Sequence, residues 1–165
     1  MRIRDATSRG TSFAWTSNRI SAYAILPPCA TNRLPAGSYG VVLIYRGSWC
    51  PYCNAQLAAF SRALDALTGL GVRVVALSVD DEEASAALAA KHKLRFPIGH
   101  SADAGKVAAA TGAYVNDEPH YLQSTGFVLA PDGTVRVAVY SSDAIGRLVA
   151  DDVAGYIRYL TEHAA

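Results

Sequence analysis

The sequence has no surplus of charge of either sign: fifteen Lys and Arg against fourteen Asp and Glu leave a formal net charge of +1, and no block of like charge occurs. That balance excludes the electrostatic footprint of a nucleic-acid binder and implies no acidic partner. Cysteine is scarce, with three in 165 residues, too few for a disulfide-stapled secreted scaffold. Long apolar runs are missing as well. The chain is 51% hydrophobic with a mean hydropathy of +0.14, but much of that is alanine. No stretch approaches the roughly 18 uncharged apolar residues a spanning helix needs, so no membrane partner is expected. The histidines His92, His100, His120 and His163 are dispersed, and a structural zinc site usually needs four Cys/His ligands in close pairs. Asn54 follows the second cysteine of the close pair, where haem attachment would require histidine. Structural zinc is therefore disfavoured and haem attachment is removed.

What is present suits one compact domain with a sizeable core. The amino terminus carries Arg2, Arg4, Arg9 and Arg19 among Ser and Thr, and its first apolar stretch, Ile20 to Leu26, is stopped by Pro27-Pro28. This is too short for a secretory signal, and a polar, poorly ordered terminus is preferred to an organelle transit peptide. A cytoplasmic location is expected by default. Residues 1–38 are read as a partly disordered or peripheral segment, and 39–165 as the folded domain.

From Tyr39 onward the pattern is legible. Gly40 to Tyr45 is a continuous apolar run rich in β-branched residues, as expected for a strand covered on both faces. After the Gly47-Ser48-Trp49-Cys50-Pro51 turn, Cys53, Leu57, Phe60, Leu64 and Leu67 recur at helical spacing up to Gly69. Val72 to Val79 reads as a second strand. Asp80 to Glu83 places negative charge at the start of a helix running to Lys93. Phe96 to Ile98 reads as a short strand and Ala104 to Thr111 as a short helix. Gly126 to Ala130 and Thr134 to Tyr140 form a hairpin through Pro131-Asp132-Gly133, and an apolar stripe from Leu148 to Leu160 marks a closing helix. The order predicts an α/β domain with a mixed central sheet and helices on both faces. Cys-x-x-Cys at a strand-to-helix turn makes that a thioredoxin-like fold.

The spacing of Cys50-Pro51-Tyr52-Cys53 has a physical reason. Proline is favoured at the first helical position, which makes Cys50 the N-cap. There, unpaired backbone donors and the helix dipole favour thiolate over thiol. Cys53 lies three residues on, on the same face, within reach for a disulfide. Its place in the apolar stripe suits a shielded, resolving sulfur. The expected cycle is attack by one cysteine on an oxidised sulfur or peroxide oxygen, closure of the Cys50–Cys53 disulfide, and reduction by an external thiol. The alternatives are a soft-metal thiolate module and a pair of inert core cysteines.

Tyr45-Arg46-Gly47-Ser48-Trp49-Cys50-Pro51-Tyr52-Cys53-Asn54-Ala55-Gln56-Leu57 resembles the active-site segment of the peroxiredoxin-like branch of the alkyl hydroperoxide reductase/thiol-specific antioxidant family. Leu77-Ser78-Val79-Asp80 with Glu82-Glu83-Ala84, and Gly126 to Gly133, are similar to that family's second strand and late hairpin. The resemblance covers about residues 39 to 160. It implies a thioredoxin fold, reduction of hydroperoxides or disulfides by a thioredoxin, a glutaredoxin or a low-molecular-weight thiol, and no metal or organic cofactor. It also implies that Cys53 occupies the slot of the peroxide-reactive cysteine. The proline and threonine expected seven and three residues before that slot are Arg46 and Cys50 here, and the arginine expected before the late strand falls at Ser124. Cys-Pro-Tyr-Cys is also the glutaredoxin motif, so a disulfide reductase without peroxidase activity is the second reading.

Helix-terminus physics favours Cys50 as the attacker, whereas the resemblance points to Cys53. Arg46 is a supporting candidate that stabilises a thiolate or holds an anion. Trp49, Pro51 and Tyr52 are supporting neighbours that shape or shield the site. His120, Gln123, Ser124, Thr125 and Asp80 are weaker candidates at strand ends, and Cys29 is read as unreactive.

Overall fold

The structure, a computed structural model, describes residues 37–163. Cys29, the apolar stretch Ile20 to Leu26 and most of the proposed amino-terminal segment lie outside the described residues.

Strand β1 (Tyr39–Ile44) occupies the centre of a five-stranded sheet ordered β3-β2-β1-β6-β7. It pairs in parallel with β2 (Val72–Leu77), which pairs in parallel with β3 (Ile98–Gly99). On the other side β6 (Thr125–Leu129) runs antiparallel to β1, and β7 (Val135–Tyr140) antiparallel to β6, so the sheet is mixed. Alternation along β1 divides the core. Val41, Leu43 and Tyr45 face one cluster with Leu57, Phe60, Leu88, Val153 and Ile157. Val42 and Ile44 face another with Val107, Leu122 and Phe127. Helices α1 (Pro51–Arg62), α3 (Glu82–His92) and α5 (Ala150–Glu162) therefore cover the first face, together with the short helix Leu64–Gly69. Helix α4 (Ala104–Thr111) covers the second. This is the thioredoxin-like arrangement that the element order predicts.

Two features depart from the sequence expectation. The long helix after Cys50 breaks at Ala63 into α1 and the short α2 (Leu64–Gly69). The cause is tertiary: Arg95 Nη2 donates to the Ser61 carbonyl at 2.9 Å, and Ser61 Oγ donates to the Lys93 carbonyl at 3.0 Å. These bonds tie that turn to the end of α3. The second departure is a two-stranded ribbon, β4 (Val115–Asn116) with β5 (Tyr121–Leu122), within a segment with no clear strand pattern. Helix α3 starts at an Asp81 cap whose side chain accepts from Ala84 N–H, and ends at Lys93 in the left-handed conformation. Among the described residues no helix is long and apolar enough to cross a membrane.

Candidate active site

The carboxyl end of β1 leads directly into the cysteine turn. Gly47 permits the reversal: a Cβ there would lie 2.8 Å from Trp49 Cδ1 and 3.1 Å from Asp80 Oδ1. Asp80, at the end of β2, accepts from Ser48 N–H at 2.7 Å, and Asn54 Nδ2 donates to the Ser48 carbonyl at 2.9 Å. The turn is thus held by the neighbouring strand end and by the helix it starts.

Cys50 is the N-cap of α1, with Pro51 in the first turn, as the spacing predicts. Its Sγ accepts the Cys53 backbone N–H at 3.4 Å, the bond a serine or aspartate makes at a typical helix start. Cys53 Sγ accepts Arg46 N–H at 3.3 Å. Both cysteines are free and have no accessible surface.

A residue absent from the sequence reading lies across both sulfurs. Arg147 belongs to the segment between β7 and α5, residues 141–149, which crosses the mouth of the cysteine turn as a strap. Its Nη1 lies 3.5 Å from Cys53 Sγ and its Nη2 3.9 Å from Cys50 Sγ. Neutral groups hold the guanidinium: Ser124 Oγ accepts from Nη1 at 2.7 Å, the Ala144 carbonyl from Nη2 at 2.6 Å, and Gln56 Oε1 lies 3.4 Å from Nη1. The strap is itself anchored. Leu148 packs over Gly126, where a Cβ would sit 2.8 Å from Leu148 Cδ1, and Gln56 Nε2 donates to the Leu148 carbonyl at 3.0 Å. Ser124, the position the family resemblance marks for an arginine, instead receives one from the strap. An isolated arginine in a loop 94 residues from Cys53 left no pattern in the sequence.

Arg46 is the second guanidinium. It lies 5.0 Å from the Trp49 ring centroid and 5.2 Å from that of Tyr121, and its Nη2 donates to Tyr121 Oη at 2.7 Å. Trp49 and Tyr121 meet edge to face at 5.2 Å. Asp143 Oδ1 lies 3.8 Å from Arg46 Nη2. Pro51 and Tyr52 are exposed beside the sulfurs. His120 is exposed and donates no hydrogen bond to either sulfur, whereas Gln123 and Thr125 are buried at the start of β6.

The two thiols differ in acidity. Burial pushes the Cys50 thiol up, but hydrogen bonds from the Cys53 side chain and N–H, together with the charges of Arg147 and Arg46, outweigh it and leave Cys50 below the ordinary thiol value. Cys53 is pushed up to about 11, by burial first and then by its hydrogen bond to Cys50. Cys50 is therefore the more acidic thiol of the pair and the one more readily ionised. Among the described residues no group of three or more His, Cys, Asp or Glu side chains is placed to hold a metal ion.

Comparison with known proteins follows the same lines. The family model described as "AhpC/TSA family" matches residues 29–138. The chain is 26% identical over 133 residues to a protein named "Peroxiredoxin" from Methanococcus maripaludis, covering 77% of this chain and 60% of that protein. It is 25% identical over 119 residues to "Peroxiredoxin 2" from Sulfuracidifex metallicus, covering 70% of this chain and 56% of that one. The chain thus spans less than two thirds of the length of either relative. Enterococcus faecalis AhpC has a similar fold, with a TM-score of 0.66 at 18% identity over 78% of this chain and 80% of that one.

Proposed function

This chain belongs to the AhpC/TSA family, and we propose that it is a thiol-dependent peroxidase that works through a Cys50/Cys53 dithiol–disulfide cycle. The Cys50 thiolate attacks the outer oxygen of a hydroperoxide. The O–O bond breaks, Cys50 becomes a sulfenic acid, and the departing alkoxide takes a proton and leaves as an alcohol. Cys53 then attacks the Cys50 sulfur: the S–S bond forms, the S–O bond breaks, and water leaves with the Cys53 proton. Two equivalents of an external thiol restore the dithiol and become a disulfide. Arg147 faces the site where negative charge develops on the peroxide oxygen, so it stabilises both the thiolate and the leaving group.

One observation carries this reading: an N-cap sulfur beneath a guanidinium, with a second, far less acidic sulfur one helical turn on. Burial of both sulfurs adds support, because a slender peroxide reaches a recessed sulfur more easily than a folded protein's disulfide does. The same burial weighs against a glutaredoxin-like reductase of protein disulfides. Arg46, Trp49, Pro51 and Tyr52 shape the entrance, the redox domain begins at about residue 39, and a reducing compartment such as the cytoplasm suits a catalytic cysteine pair.

The test uses single serine variants treated with peroxide and a sulfenate-specific trap. Cys53→Ser is expected to label at Cys50, and Cys50→Ser to remain unlabelled. Label retained in Cys50→Ser and absent in Cys53→Ser would make Cys53 the attacker. Peroxide consumption with dithiothreitol separates an enzyme from a thiolate binding module.

A further inference from the structure

The two guanidiniums differ in what balances their charge. Arg46 has a carboxylate, Asp143, at 3.8 Å, whatever the state of the sulfurs. Arg147 has none: among the described residues no carboxylate lies within ion-pair distance of it, and Ser124 Oγ, the Ala144 carbonyl and Gln56 Oε1 are all neutral. Its Nε is buried and has no partner. Among the described residues, the group placed to face Arg147 as an anion is the sulfur of Cys50, and that sulfur can be an anion only while it is reduced.

We infer that Arg147 makes Cys50–Cys53 an oxidising couple, one whose disulfide is readily reduced by a low-molecular-weight monothiol. When the disulfide closes, Cys50 becomes neutral and Arg147 is left half-buried with dipoles alone, an arrangement that costs more than the paired one. That penalty falls only on the oxidised form and shifts the equilibrium toward dithiol. The balanced step is Cys50–S–S–Cys53 plus two R–SH giving Cys50 thiolate, Cys53 thiol, one proton released to solvent, and R–S–S–R. The S–S bond of the protein breaks through a mixed disulfide, and the monothiol is oxidised. The absence of accessible surface at both sulfurs also suits a slender thiol. Ser124 and the Ala144 carbonyl are positioning groups, since they act by holding Arg147 over the sulfurs.

The inference rests on Cys50 and Cys53 being the working pair, and its test needs no peroxide. Wild-type protein, Arg147→Met, Arg147→Lys, Ser124→Ala and, as a remote control, Arg62→Met are equilibrated anaerobically in glutathione buffers, and the dithiol fraction is read by alkylation and mass. Arg147→Met is expected to lower the equilibrium constant for reduction at least tenfold, a potential more negative by about 30 mV. Ser124→Ala moves the same way by a smaller factor. Arg147→Lys keeps the charge and stays nearer wild type, so it also serves if the methionine variant misfolds. Arg62→Met leaves the constant unchanged.

A pH series supplies a readout that a merely structural role would not move. The charged and titratable groups facing this corner are Tyr45, Arg46, Cys53, Asp80, Tyr121 and Asp143. At a pH low enough to protonate Cys50 in the dithiol, the gap between wild type and Arg147→Met should close. A methionine variant within twofold of wild type, or a gap that persists at low pH, overturns the inference. Absence of peroxide turnover with a normal redox titration removes the proposed function alone. Failure of the disulfide to form removes both.

Discussion

The cysteine turn and the strap that faces it supply one arginine each to the same pair of sulfurs, and they do so by opposite means. Residues 46–53 are local: Arg46, the Gly47 reversal, the Cys50 cap and Cys53 follow one another in sequence, and their geometry follows from a strand entering a helix. Residues 141–149 are assembled from afar. Arg147 reaches the sulfurs because β7 ends beside β6, because Gly126 lacks a Cβ under Leu148, and because Ser124, Ala144 and Gln56 hold the guanidinium. The local half provides the reacting atoms, and the distant half provides the charge that faces them. This division implies that lesions in the turn remove the chemistry, while lesions in the strap detune it.

The largest effect is expected at the turn. Cys50→Ser should reduce hydroperoxide consumption to the rate of buffer thiol alone, measured with dithiothreitol as reductant, because serine at neutral pH offers no anion. Cys53→Ser, pre-reduced and freed of external thiol, should allow a single turnover and then stall at the sulfenic acid, seen as one equivalent of alcohol per protein. Full catalysis by Cys50→Ser would reverse the division between the two sulfurs.

Next comes the strap. Removing one donor aimed at developing negative charge typically lowers a rate by about 10²-fold or more, and Arg147→Met is expected to do so here. Its pH profile should move as well. In wild type the rate rises as Cys50 ionises, with a midpoint below the ordinary thiol value, since Arg147 is among the causes that lower it. Without that charge the thiolate forms only at higher pH, so the midpoint moves up and part of the lost rate returns in mild alkali. A rate that falls without any change in profile would mean that Arg147 is only a packing element.

Gly126→Ala tests the strap without touching a charge. The new methyl would lie 2.8 Å from Leu148 Cδ1 and must displace it, so overpacking of about 1–3 kcal/mol is expected in denaturant unfolding. Leu148 adjoins Arg147, so the same variant should raise the Cys50 ionisation midpoint, by less than Arg147→Met. Loss of stability with an unchanged midpoint would separate the strap's packing from its electrostatic role.

How much of this could be read from residues alone follows the same local and distant division. Strands β1, β2, β6 and β7 and helices α4 and α5 lie within about two residues of their expected limits, because alternation, the Pro-Asp-Gly turn and the apolar stripe are local signals. The break at Ala63 left no mark, since the apolar periodicity runs through it and the interruption comes from Arg95 on another element. The ribbon β4–β5 is too short to alternate. At the site, Cys50, Cys53, Arg46 and Trp49 were legible from the motif and its neighbours. Ser124 was legible only as a family position lacking its arginine, the position that Arg147 reaches from the strap.

The smallest expected effect is at Asp143, and it isolates the difference between the two arginines. Its carboxylate is 84% exposed and 3.8 Å from Arg46, so Asp143→Ala should change stability by no more than about 1 kcal/mol, as for other surface pairs. Its loss leaves Arg46 held by Tyr121 and Trp49 and frees the Ala144 N–H that Asp143 Oδ1 accepts at 2.7 Å, while the Ala144 carbonyl and Ser124 Oγ still accept from Arg147. Peroxide turnover and the Cys50 midpoint should therefore stay near wild type. If Asp143→Ala instead lowers the midpoint clearly, the carboxylate has been offsetting much of the Arg46 charge that acts on Cys50, and Arg46 ranks with Arg147 in controlling the thiolate.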